Sequence, residues 1–258
     1  MTRKLIFFDI DGTLLNDDKE LPIKTVEAIE ALKAKGHIVA IATGRGPFMY
    51  QDIREKLDID TYVSYNGSYV VYEGTPIYTS PLDKRALLQL ETEGHERQHP
   101  MMFMDHKDMK QNVEDHASIN ESMATLKLTF TPDYDPSYHA DRDLYQALFF
   151  VDDEELKLYD QRFPEFEFVR WHPLSVDILP KGGSKWRGIK QLIEHVAIDP
   201  SDVYAFGDGL NDVEMLEHIH NSVAMGNGCP EAKQVADFVT TDVNEDGLYL
   251  GIKEMGLL

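Results

Sequence analysis

The sequence predicts an α/β protein, a doubly wound parallel sheet interrupted by a separate α+β module. Three observations predict it. Over the first 80 residues, short apolar runs alternate with amphipathic stretches, as strands buried on both faces alternate with the helices that cover them. The same alternation resumes at Ser184 and continues to the C-terminal end. Between the two, residues 82–180 change character, with 21 acidic against 10 basic side chains, six of the ten histidines, and two consecutive strand patterns at the close. The expected division is therefore a core of residues 1–81 and 181–258 with a module of residues 82–180 inserted into it.

Each element follows from its local pattern. Leu5 to Phe8 reads as a buried strand. Residues 22–35 read as a helix, opened by Pro22, carrying Val26, Ile29, Ala31 and Leu32 at helical spacing, and ended by Gly36. HIVAIA, 37–42, is a second strand and 47–57 a second helix. Tyr62 to Tyr65 is a third strand, and residues 69–72 and 77–79 form a hairpin around Glu73-Gly74. The insert reads as helix, strand, helix, strand (LKLTF), helix, strand (LYQALFFV), helix and two strands (FEFVRW, LSVDIL). The core then continues with helix 184–196, strand 203–206, helix 210–217, strand 222–225, helix 230–236, strand 237–240 and a helix near 245–255.

A chain of 258 residues is long enough to bury a full core. A net charge of −21 argues against partners that present phosphate backbones or anionic lipid. A single cysteine, Cys229, excludes an intramolecular disulfide and fits a reducing cytoplasm. No stretch of 18 apolar residues suggests a membrane span.

Four polar clusters each stand immediately after an expected core strand or at the return from the insert. Asp9 and Asp11, in FFDIDGTL, are two apart at a strand end and point the same way. Two such carboxylates either share a proton or bind a cation, and hard oxygen ligands suit Mg²⁺. The same residues also suit a plain turn. Thr43-Gly44-Arg45 combines a hydroxyl and backbone N–H groups at a strand-to-helix turn, a setting that cradles phosphate and also serves as a cap. Lys181 and Lys185, in PKGGSKWRG, offer a cation that could face the carboxylates. Gly207-Asp208-Gly209-Leu210-Asn211-Asp212 places further carboxylates at a strand end. There Asp208 suits a third metal ligand and Asp212 a group that orients one.

In this order, DxDGT, TGR, a lysine before a helix and GDGxND, the sequence resembles the haloacid dehalogenase superfamily of phosphohydrolases. The insert's position and SVAMGNGCPEAKQVADFVTTDVNEDGL are similar to the Cof-type branch with a class IIB cap. The resemblance implies a Rossmann-like core with an α+β cap. It implies Asp9 as the nucleophile that forms an aspartyl-phosphate and Asp11 as general acid and base. Mg²⁺ would rest on Asp9, the Asp11 carbonyl and Asp208. Phosphate oxygens would meet Ile10, Thr43, Gly44, Lys185 and Asn211, with Asp212 behind them. Lys185 takes the family's lysine position in preference to Lys181. Asn66, Gly67 and Arg45 are candidate substrate contacts.

The expected activity is a Mg²⁺-dependent phosphatase for a small phosphorylated metabolite, with no nucleic acid or membrane partner, working as a monomer or homodimer. A phosphomutase and an inert phospho-ligand sensor are the alternatives. The insert's net charge of −11 counts against a mutase, whose cap needs basic groups for a second phosphate. All four chemical residues, Asp9, Asp11, Lys185 and Asp208, are present, which counts against a sensor. Arg97, His99, Arg142, Arg170 and His172 are the insert's candidates for substrate contact.

Overall fold

The computed structural model describes residues 2–125 and 132–258. They group into two compact units, one of residues 2–45, 49–79 and 184–258, the other of residues 46–48, 80–125 and 132–183. The first unit begins with β1 (Leu5–Phe8), whose four residues are all buried, as expected of a strand covered on both faces. Helix α1 (Ile23–Ala34) follows, burying Thr25, Ala28, Ile29 and Leu32 along one stripe. Strand β2 (Ile38–Ala42), also wholly buried, leads through a 3₁₀ turn into α2 (Gln51–Leu57). Then come β3 (Tyr62–Ser64), β4 (Tyr69–Tyr72) and β5 (Thr75–Thr79).

The second unit contains α3 (Lys84–Glu96), β6 (Met101–Met104), β7 (Met109–Gln111), α4 (Ala117–Thr125), β8 (Asp133–Tyr134), β9 (Gln146–Phe149), α5 (Asp153–Leu156), β10 (Phe166–His172) and β11 (Ser175–Pro180). Among the described residues its sheet has six strands in the order β10-β11-β9-β6-β7-β8, antiparallel except for β7 beside β8. Leu87, Leu90, Met101, Phe103, Ala147, Phe149, Val176 and Ile178 fill its core. The module is thus α+β, with two differences from expectation. Met109–Gln111 adds a hairpin strand too short for the sequence pattern to reveal. The helix expected between LKLTF and LYQALFFV is absent. Residues 135–140 instead form turns, in which Asp135 accepts from the Ser137 N–H and the Ser137 carbonyl from Ala140, because Pro132 and Pro136 break helical bonding. The expected strand LKLTF lies outside the described residues.

The first unit resumes with α6 (Lys185–Val196), β12 (Val203–Gly207), α7 (Val213–His218), β13 (Asn221–Ala224), α8 (Pro230–Val235), β14 (Phe238–Val239) and α9 (Gly247–Glu254). The eight strands of its sheet run β14-β13-β12-β1-β2-β3-β4-β5. The first six are parallel, and β4 and β5 are antiparallel additions. Leu5 and Phe7 pack with Ile189, Leu192, Met215 and Ala232 of α6, α7 and α8. By alternation, Ile6 and Phe8 face the opposite layer. Strand β1 lies between β2 and β12, so the chain winds away from it in both directions. Ligand crevices of open parallel sheets form at such a switch point, beyond the carboxyl ends of the strands. No helix among the described residues is long and apolar enough to cross a membrane.

Candidate active site

The end of β1 is drawn into a tight turn. The Asp9 N–H still follows the sheet, donating to the Phe206 carbonyl at 3.0 Å, and the Leu15 N–H returns to the Ile10 carbonyl at 2.8 Å. Gly12 sits at φ +78°, where a Cβ would stand 2.4 Å from the Asp208 carboxylate. Only glycine lets the β12 loop close against the β1 loop there. Thr13 Oγ1 then spans the gap, donating to Asp208 Oδ1 at 2.8 Å, while Asn227 Nδ2, from the loop after Ala224, donates to the Gly12 carbonyl at 2.8 Å.

Helix α6 begins on Ser184, whose hydroxyl accepts from the Arg187 N–H. Its first residue, Lys185, is buried and donates to Asp9 Oδ1 at 2.5 Å and to Asp212 Oδ1 at 2.6 Å. The other Asp212 oxygen accepts from the N–H groups of Asp208 and Gly209 at 3.0 and 2.9 Å. Asp212 therefore fixes both the lysine and the loop that carries Asp208. Lys181, by contrast, is exposed in the second unit, its N–H on the Glu165 carbonyl.

Thr43, Gly44 and Arg45 follow β2. The Thr43 hydroxyl accepts from the Arg45 N–H at 3.1 Å. Tyr65, Asn66 and Gly67 cross this turn in three successive left-handed conformations, φ 52°, 47° and 94°. Backbone bonds from Tyr65 to the Arg45 carbonyl and from Asn66 to the Thr43 carbonyl hold them. Such a path is costly for a buried tyrosine and marks an over-determined position. It brings the Asn66 carboxamide against Gly44 and Asn211, whose Nδ2 donates to Asn66 Oδ1 at 3.2 Å. It also seats Gly67 on the start of α6, where a Cβ would come 2.0 Å from the Ser184 carbonyl.

Asp11 is turned to a pair of cations. Arg45 grips it side-on, Nε to Oδ2 at 2.8 Å and Nη2 to Oδ1 at 2.6 Å, and Lys19 Nζ reaches Oδ1 at 2.7 Å. Arg45 is a candidate substrate contact from the sequence, whereas no motif marks Lys19. The structure places both on Asp11. Nothing local in the sequence signals a pairing across 34 positions.

Electrostatics separate Asp9 and Asp208 from Asp11. Burial lifts Asp9 to about 7, against the opposing pull of Lys185 and with a further push from Asp212 and Asp208. Asp208 rises to about 6, again chiefly by burial, opposed by the Thr13 hydrogen bond. Burial works against the Lys185 charge, but Asp212 and Asp9 outweigh it and its pKa is raised. Burial also works against the Asp11 charge, yet Arg45 and then Lys19 hold it below the usual carboxylate range. Asp9, Asp208 and Asp212 each offer an oxygen within 4.8 Å of the others. Three converging carboxylates against one ammonium leave excess negative charge, which adds to the larger effect of burial in raising Asp9 and Asp208. A small hard cation fits that donor set. With both Asp212 oxygens committed, Asp9 and Asp208 are the side chains left to hold it.

The second unit's candidates are engaged within it. His99 bonds to Tyr159 and Glu155, Arg170 to the Val151 carbonyl, His172 to Ser122, and Arg142 pairs with Asp105 and Asp141. Arg97 is exposed. The string HERQH, 95–99, has the two histidines and glutamate of a helical zinc-hydrolase motif. The fold denies it that geometry. Helix α3 ends at Glu96, Gln98 turns at φ 62°, and both His99 nitrogens are taken.

With this geometry in view, residues 6–252 match the family of haloacid dehalogenase-like hydrolases. The chain belongs to that family. Among its relatives is YkrA of Bacillus subtilis (strain 168), whose name places it among the phosphatases, 47% identical over the whole of both chains. The crystal structure of a hypothetical protein from Geobacillus kaustophilus HTA426 superposes over the whole of both chains with a TM-score of 0.97 and 51% identity. The subclass IIB sugar phosphatase BT4131 aligns with 99% of this chain and 100% of its own, with a TM-score of 0.82 and 30% identity. The chain is a phosphatase of this haloacid dehalogenase-like family, with the parallel core and inserted cap of subclass IIB.

Proposed function

We propose that this haloacid dehalogenase-like hydrolase is a Mg²⁺-dependent phosphomonoesterase for small phosphorylated metabolites, acting through an aspartyl-phosphate on Asp9. The observation that carries the reading is the buried Asp9 carboxylate, fixed by Lys185 beside Asp208 at the switch point of the sheet. An anionic nucleophile approaches an anionic phosphate only when nearby cations offset the repulsion. Lys185 supplies one positive charge. Mg²⁺ on Asp9, Asp208 and the Asp11 carbonyl would supply the rest and polarise a phosphate oxygen.

In the first half-reaction, an Asp9 oxygen bonds to phosphorus as the ester P–O bond breaks, and the departing oxygen takes a proton from the Asp11 carboxyl. In the second, water gives its proton to the Asp11 carboxylate and attacks phosphorus. The Asp9–phosphorus bond then breaks, and free Asp9 and inorganic phosphate result. The remaining phosphate oxygens fall to the Thr43 hydroxyl, the Gly44 and Ile10 N–H groups, Lys185 and Asn211. Asp212 acts only through the lysine and the Asp208 loop.

The insert's net charge of −11 favours monophosphates with neutral or cationic leaving groups over polyanions. Sugar phosphates are the first class to try, since BT4131 is a sugar phosphatase, with nucleotides and phosphorylated cofactors next. The test is turnover of p-nitrophenyl phosphate by wild type and Asp9→Asn, with and without EDTA. The variant should fall to background, and EDTA should abolish activity that Mg²⁺ restores. Undiminished turnover by Asp9→Asn would overturn the mechanism.

A further inference from the structure

We propose that Thr13 and Asn227 are positioning residues for the cation site. Thr13 directs one Asp208 oxygen into it, and Asn227 holds the Gly12 turn through which the Asp11 carbonyl is presented. This rests on the reading of Asp9, Asp208 and the Asp11 carbonyl as the ligands of Mg²⁺.

Asp208 is fixed at three points. Its N–H donates to Asp212 Oδ2 at 3.0 Å, its carbonyl accepts from the Cys229 N–H at 2.8 Å, and its Oδ1 accepts from the Thr13 hydroxyl at 2.8 Å. With the backbone and one oxygen held, the carboxylate cannot turn without breaking a bond. Oδ2 is the oxygen that remains, and it stands over the β1 turn, 2.4 Å from where a Gly12 Cβ would be. Thr13 is fully buried, and its bond does not replace an ion pair, because the Lys185 ammonium goes to Asp9 and Asp212. A neutral hydroxyl leaves the Asp208 charge uncompensated while setting its direction, as a cation ligand requires.

Asn227 acts on the backbone. Gly12, at φ +78°, is the most permissive link of the β1 turn. Its N–H donates to the Leu15 carbonyl at 3.0 Å, and because the peptide before it is trans, the Asp11 carbonyl points the opposite way. The Gly12 carbonyl accepts from Asn227 Nδ2 at 2.8 Å, and Asn227 Oδ1 accepts from the Val243 N–H at 2.9 Å. Both ends of the carboxamide are used, so reversing it would lose both bonds.

The two contacts share one support. Residues 225–229 are held to the strand before Asp208 by the Met225 N–H on the Gly207 carbonyl, and to the C-terminal segment by the Gly226 N–H on the Thr241 carbonyl. From this one loop Asn227 reaches the Gly12 carbonyl and Cys229 the Asp208 carbonyl. The loop thereby sets the spacing between two of the cation's ligands. A role in the fold alone predicts lost stability with Mg²⁺ affinity intact. A positioning role predicts lost affinity.

The experiment titrates metal-free wild type, Thr13→Val, Thr13→Ser, Asn227→Ala and Asp208→Asn with MgCl₂ by isothermal calorimetry, after thermal melts in EDTA have checked folding. The Mg²⁺ Kd should rise about tenfold or more in Thr13→Val and in Asn227→Ala, and most in Asp208→Asn. Thr13→Ser keeps the hydroxyl and should bind as wild type does. Turnover of p-nitrophenyl phosphate by Thr13→Val and Asn227→Ala should recover as MgCl₂ is raised, which a general structural defect would not do. Asn227 is only half-buried, so its variant decides the matter if Thr13→Val fails to fold. Wild-type affinity in Thr13→Val and Asn227→Ala, with Asp208→Asn impaired, would overturn the positioning role and leave the cation reading intact. Undiminished binding by Asp208→Asn would overturn that reading and the proposal with it.

Discussion

Replacing Asp212 by asparagine tests whether the site is organised from behind. The side chain is fully buried and accepts three hydrogen bonds, one from the Lys185 ammonium and two from the N–H groups of Asp208 and Gly209. All three partners are donors, so an acceptor-only carboxylate satisfies them. An amide has one acceptor and one donor end. Turned one way, its NH₂ meets the ammonium; turned the other, it meets two backbone N–H groups. Either choice breaks at least one charge-assisted bond and leaves a buried charge short of its partner. Breaking one side of a buried ion pair costs about 3–5 kcal/mol. Urea denaturation in EDTA should therefore show Asp212→Asn less stable than wild type by that amount. Its kcat should fall and its KM rise, since Lys185, a proposed phosphate contact, and Asp208 both lose their alignment. A stability change under about 1 kcal/mol, with kcat unaltered, would refute the idea that this carboxylate organises the site.

Further predictions follow from the same geometry. Gly67→Ala, which sets a Cβ 2.0 Å from the Ser184 carbonyl at φ +94°, should cost roughly 2–4 kcal/mol in urea denaturation and lower activity by displacing Lys185. Wild-type stability in this variant would show that the turn and α6 can part freely. Asp9 and Asp208 have folded pKa values of about 7 and about 6, raised by burial from an ordinary 3.8. Between about pH 4 and 7 the folded metal-free protein thus holds protons that the unfolded chain has lost, and stability falls as pH rises through that window. On the proposed function Mg²⁺ would take the place of those protons, so its effect on Tm should be large at about pH 7.5 and small at about pH 5. An equal shift at both would place the cation elsewhere.

Three of the four chemical clusters were legible because a strand buried on both faces must be an apolar run, and whatever polar group follows it stands at the sheet's edge. Asp9, Thr43 and Asp208 are each found that way. What stayed hidden depends on reach and on backbone path. Arg45 and Lys19 converge on Asp11 through long side chains whose direction no spacing encodes. Asn66-Gly67 announces a tight turn, but the left-handed tyrosine before it, at φ 52°, is imposed by contacts with the β2 turn. In the insert, short strands such as Met109–Gln111 carry too few residues for a period to show, and turn-forming prolines sit inside what reads as a helix.

The strand order also governs how the protein can be made. Strand β1, four apolar residues near the start of the chain, finds one neighbour in β2, but its other edge belongs to β12. On the ribosome, Val203 follows Thr79 by about 120 residues, on the order of 10 s of synthesis. For that interval the stickiest edge of the sheet has no native partner. Until β12 is made that edge stays open to non-native pairing, as it would not in a protein of this size with sequentially paired strands.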